Sequence, residues 1–80
     1  MSSRMEERAE ALMSELVRRG WKPGDTIANA IIVEIAASIG IDGANLDTTL
    51  EFAGAEGWIE NAASGFTVLT IAGCAAGGET

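Results

Sequence analysis

Eighty residues make one small domain, and 48% apolar content with 21% charge describes a folded globule and excludes a disordered tail. The net charge of −7 is unevenly spread: residues 1–22 hold all five cations and four of the twelve acidic residues, so residues 23–80 carry eight carboxylates and no cation. Such a surface repels phosphate, because duplex affinity comes largely from cations that displace condensed counterions; it suits solubility or a basic protein partner.

In chain order, residues 1–3 are expected to be loose, and Arg4 to Arg19 to form a helix. Met5, Ala9, Leu12, Met13, Leu16 and Val17 fall at helical spacing and make one apolar stripe. Glu6, Glu7 and Glu10 sit at its start and Arg18 and Arg19 at its end, as the helix dipole prefers. Gly20 is a natural left-handed stop, and Trp21 can fold back on Leu16 or Val17. Lys22-Pro23-Gly24-Asp25 reads as a type II turn, with Pro23 pre-setting one dihedral and Gly24 supplying the positive one. Asp25 or Thr26 is then expected to cap a second helix running to about Ile39. Ile27, Ile31, Ile35 and Ile39 step four apart along it, and Ile32 and Val33 widen the stripe.

Gly40 ends that helix, Ile41 plugs the turn, and Asp42 is the expected cap of a third helix from Gly43 to about Glu56. Leu46, Thr49, Leu50 and Ala53 form its inward face, and Gly54 weakens its last turn. Gly57 stops it. Trp58-Ile59-Glu60 and Phe66 to Thr70 are β-prone on either side of a turn-rich Asn61 to Gly65, which predicts a hairpin. Thr70 to Ala76 adds one helical turn, and residues 77–80 are expected to fray. The predicted core is Leu16, Ile31, Ile35, Ile39, Leu46, Leu50, Trp58 and Val68. The fold class is therefore α+β, mostly α: a three-helix helix-turn-helix core and a C-terminal two-stranded β-hairpin, in a single domain spanning 1–80.

The stretch Glu34-Ile35-Ala36-Ala37-Ser38-Ile39-Gly40-Ile41, followed by a polar Asp42, by Leu46, Leu50 and Ala53, and by Gly57-Trp58-Ile59, resembles the helix-turn-helix segment of bacterial winged helix-turn-helix domains. Leu69-Thr70-Ile71-Ala72-Gly73 is similar to the Leu-Thr-x-x-Gly that follows the wing in such proteins. The resemblance implies a hairpin wing and close crossing of the second and third helices at Ala36. In DNA-binding members, exposed residues of the third helix enter the major groove and cations there and in the wing contact phosphate. The matching positions here offer Asn45, Asp47, Thr48, Glu51 and Phe52, and the wing has no cation. These five residues are the candidate interaction face. Arg4, Arg8, Arg18, Arg19 and Lys22 are a candidate basic patch.

The expected function is a non-catalytic regulatory or adaptor module that binds a protein, with Asp47, Glu51 and Glu56 turned to a basic partner. The alternative is a DNA-binding regulator using the first-helix cations with Asn45 and Thr48. Weak homodimerisation through the first-helix stripe is a further expectation, with Arg18 and Arg19 of one copy against Asp47 and Glu51 of another. Neither a cofactor nor a metal is expected, nor is catalysis: the chain has no His and no Tyr, Cys74 has no histidine base, and no glycine-rich phosphate loop occurs. Cys74 is read as a small core residue, and Trp21 and Trp58 as core fillers. No leader or membrane span is expected, and a single cysteine fits a reducing cytoplasm.

Overall fold

The computed structural model describes residues 4–78. The expectation that residues 1–3 are loose and that the last two fray falls outside that range. The fold is α+β and mostly helical, with four helices and a three-stranded antiparallel sheet among the described residues.

Helix α1 (Arg4–Arg18) buries Ala9, Leu12, Met13 and Leu16 completely. Its end is fixed by two backbone bonds: Gly20 N–H donates to the Val17 carbonyl (3.0 Å) and Trp21 N–H to Leu16 (3.1 Å). This is the Schellman arrangement, and it requires the left-handed backbone that Gly20 adopts at φ +98°. The same pair of bonds recurs at Gly40-Ile41 and at Gly57-Trp58, so each Gly-apolar pair closes one helix and folds an apolar side chain back beneath it. The Pro23-Gly24 turn forms as expected, with Asp25 N–H on the Lys22 carbonyl (3.0 Å) and Gly24 at φ +89°.

Asp25 does not cap a helix. Its carboxylate accepts the Lys22 N–H (2.9 Å), and the chain continues into strand β1 (Thr26–Ala28). Helix α2 (Asn29–Ser38) begins two residues after Ile27, where the isoleucine row starts, with no side-chain cap at Ala28. The cause lies at the far end of the chain. Strand β3 (Phe66–Leu69) pairs with β1 on one side and with β2 (Ile59–Asn61) on the other, giving the order β1-β3-β2. The hairpin is thus extended to three strands, and β1 satisfies backbone groups that one helical turn would have satisfied locally. Ile27 still reaches the core, but by strand alternation.

The later start leaves only one side of α2 buried. Ile32, Ile35 and Ala36 are buried, whereas Ile31 and Val33 stand 40% and 47% exposed. At 100° per residue, Ile32, Ile35 and Ala36 span an arc of about 100° around the helix, and Ile31 and Val33 fall outside it, one on either side. Of the other predicted core residues, Leu16 and Leu46 are buried, and Ile39, Leu50 and Trp58 are half-buried against the core. Val68 lies half-buried on the opposite side of β3 from Thr67 and Leu69.

Helix α3 (Gly43–Ala55) follows a four-residue break at which the helix direction turns by 114°. Asp42 stands at its N-cap position without a side-chain cap bond; its carbonyl instead accepts the N–H groups of Asn45 and Leu46. Gly54 is exposed, and a methyl there meets nothing within 4 Å. Gly54→Ala should therefore stabilise the fold by up to ~1 kcal/mol, visible in a thermal melt as a rise of roughly 4–8 °C.

Residues 71–78 form a full helix, α4 (Ile71–Gly78), longer than the single turn expected, and Gly77 is buried within it. Thr70 caps it: the Gly73 N–H donates to the Thr70 hydroxyl (3.0 Å), and that hydroxyl donates to the Gly57 carbonyl. The first half of the Leu69-Thr70-Ile71-Ala72-Gly73 motif thus ends a strand and starts a helix. Gly73 and Gly77 lie on one side of α4, buried against the backbone at Trp58 and at Met13. Absence of a side chain at Gly77 lets α4 close onto α1, the most extensive contact between elements, and absence of one at Gly73 lets it close onto the Trp58 backbone.

Candidate functional site

The five residues of the expected interaction face do not share a surface. Successive helical residues turn 100°, which puts Asp47, Glu51 and Gly54 on one flank of α3 and Asn45 and Phe52 on the other. Phe52 is half-buried, its ring 5.8 Å from that of Trp58 in an edge-to-face contact. It is therefore a packing residue, not an exposed anchor. Thr48 is half-buried and its hydroxyl donates to the carbonyls of Ala44 (3.2 Å) and Asn45 (3.1 Å) of its own helix.

Asp47 and Glu51 line a groove of about 700 Å³ enclosed by α2, α3 and the core face of the sheet. Ile32, Leu46, Leu50 and Ile59 supply its apolar surface, Val33 part of one wall, and Gly54 leaves it open at the end of α3. Glu60 and Asn61 of β2 form the facing lip. At its inner end the buried Thr67 hydroxyl donates to the Asn29 side-chain oxygen (2.8 Å). The residues lining the groove include Asp47, Glu51 and Glu60 and no cation; strand alternation turns the Glu60 side chain to the other face of the sheet, so Asp47 and Glu51 supply the carboxylates of the groove itself. Of the expected acidic face of Asp47, Glu51 and Glu56, the first two line the groove, whereas Glu56 is exposed at the C-cap of α3 and does not; Glu60, brought to the groove's edge by the turn at Gly57, was not among the expected residues.

The basic residues lie along α1. Arg4 and Arg8 border a shallow depression with Ile39 and Ile41. Arg18 and Arg19 converge instead on Glu15: its carboxylate accepts from Arg18 Nη2 (2.6 Å) and Nε (3.1 Å) and from Arg19 Nε (2.8 Å). Arg19 also donates to the Ser38 hydroxyl (3.1 Å), tying α1 to the end of α2. Arg18 first, then Arg19, hold the Glu15 carboxyl below the usual glutamate range, against the effect of its burial, and Glu15 raises Arg18 in return. A depressed folded-state value means that this stabilisation is present above the ordinary glutamate range and is lost as pH falls through the lowered value. Unfolding of Glu15→Gln compared with the parent should show a stability gap at neutral pH that closes in acid. A gap unchanged by acid would mean that the carboxylate charge is not what holds these side chains.

The α1 stripe is spent inside the molecule on α3 and α4, with Leu12, Met13 and Leu16 fully buried and Met5 partly exposed. Cys74 is half-buried; burial first, and the Asp25 charge second, push its thiol up and away from the reactive thiolate. Among the described residues, no group of three His, Cys, Asp or Glu side chains is placed to hold a metal ion, and no single helix is long and apolar enough to cross a membrane. No protein-family model, curated protein or solved structure matches the chain.

Proposed function

We propose that the chain is a winged-helix module without catalytic activity that acts as an adaptor, docking a basic segment of a protein partner on the acidic groove between α2, α3 and the sheet. The observation that carries this is the groove itself: apolar inside, bordered by Asp47, Glu51 and Glu60, and without a cation in its lining. The winged-helix part is supported by the 114° turn between α2 and α3, which falls in the range of helix-turn-helix units, and by a hairpin directly after α3.

The DNA-binding alternative has less support. Arg18 and Arg19 are engaged by Glu15, the Thr48 hydroxyl is directed at its own helix, and Asp47 and Glu51 would meet phosphate with like charge. Homodimerisation through α1 is likewise poorly supported, since its stripe is occupied. A gel-shift or heparin-column assay at ~50 mM salt, where phosphate contacts are strong, tests the reading. No shift and no retention are expected; a retained protein that elutes steeply with salt would transfer the function to nucleic acid.

A further inference from the structure

We propose that the outer edge of β2 takes up an extended, basic segment of the partner as a fourth, antiparallel strand, with alternate side chains of that segment entering the groove. This rests on the protein-interaction reading above and specifies how the partner is held.

The edge follows from the hydrogen-bond phase of the sheet. Thr70 N–H donates to the Trp58 carbonyl (3.1 Å) and Ala62 N–H to Phe66 (3.1 Å). Those two bonds flank the pair Glu60↔Val68, so Trp58, Glu60 and Ala62 turn their backbone groups toward β3. Ile59 and Asn61, between them, turn their N–H and C=O groups the other way. The bonds on the far side of β3 agree: Leu69 N–H on Asp25 (3.1 Å) and Asn29 N–H on Gly65 (2.9 Å) use the alternate residues of β3 for β1. Among the described residues no strand lies beyond β2.

The groove opens along that same edge. Ile59 and Asn61 point their side chains to the core face of the sheet, where the groove lies, and both line it. In an antiparallel pairing, a residue that exchanges bonds with Ile59 or Asn61 places its own side chain on that face too. The incoming strand therefore presents every second side chain to the apolar surface of Ile32, Leu46, Leu50 and Ile59. Its other side chains fall on the face of Glu60. Charge chooses the occupant: Asp47 and Glu51 at the groove and Glu60 beside the new strand all favour a cationic segment, one with apolar side chains on the groove face and lysines or arginines on the face of Glu60. An edge strand joined in this way gains main-chain bonds for affinity and side-chain pockets for selectivity.

The probe is a capped seven-residue peptide alternating lysine and valine, titrated into the ¹⁵N-labelled chain at low salt. Binding should shift the Ile59 and Asn61 amides and slow their hydrogen exchange. Methylating the valine nitrogens removes the N–H groups that face β2 and should weaken binding roughly tenfold or more; methylating the lysine nitrogens should not. Gly54→Leu, which projects a side chain into the groove from an unstrained helical position, should abolish binding while the melt shows a folded protein. If both methylated peptides bind like the parent and Asp47→Asn with Glu51→Gln still weakens them, strand addition is wrong and the acidic groove stands. If the unmodified peptide leaves the Ile59 and Asn61 amides unmoved at millimolar concentration, the edge site is overturned. A duplex-DNA shift that perturbs α3 would instead overturn the protein-interaction reading itself.

Discussion

A Gly77→Ala variant should melt roughly 10–20 °C below the parent chain. A methyl at Gly77 would fall inside the α1 backbone at Met13, with Ser14 N only 2.5 Å away. Backbone cannot rotate aside as a side chain can, so the helices must separate, and overpacking of this kind costs about 2–3 kcal/mol. Gly73→Ala should act in the same direction, because its methyl would meet the Trp58 carbonyl and come within 3.0 Å of Leu69 Cδ1. Gly78 provides the contrast. Its nearest neighbour is the Val17 side chain at 3.1 Å and no backbone atom, so Gly78→Ala asks only for a shift of a few tenths of an ångström and should cost far less than Gly77→Ala. Circular-dichroism melts of the three variants decide the matter. A Gly77→Ala protein with the parent's melting temperature would mean that α4 does not dock on α1.

The second large effect separates two isoleucines one helical turn apart. Ile35 is 3% exposed and Ile31 is 40% exposed. Ile35→Ala should cost about 2–5 kcal/mol, a large share of the 5–15 kcal/mol available to small domains. Ile31→Ala should stay within about 1 kcal/mol of the parent, since little burial is lost and alanine favours the helix. Urea titrations of both variants test the orientation of α2 directly. Equal losses would return α2 to the orientation suggested by its four-residue isoleucine row, with both side chains in the core.

What the chain determines by itself is its punctuation. Gly20-Trp21, Gly40-Ile41 and Gly57-Trp58 end three helices, and Pro23-Gly24 turns the chain, because each depends on bonds between residues no more than five apart. The α1 stripe is legible for a related reason: a helix with one strongly apolar side has one way to bury it. Tertiary structure decided the rest. Thr26–Ala28 is a strand because β3, forty residues later, offers it partners, and no local signal outweighs that ladder. The buried side of α2 was ambiguous in an element apolar nearly all round, until the start at Asn29 fixed which residues face α1 and the sheet. In sequence Gly77 looks fraying-prone and Gly73 is only part of a short helical turn, and only the approach of α1 and the Trp58 backbone makes them the positions that let α4 close. The groove has the same origin. Asp47 and Glu51 share a helical flank by spacing, but Glu60 and the outward-turned backbone of Ile59 and Asn61 join them only because β2 pairs with β3 in one hydrogen-bond phase and not the other.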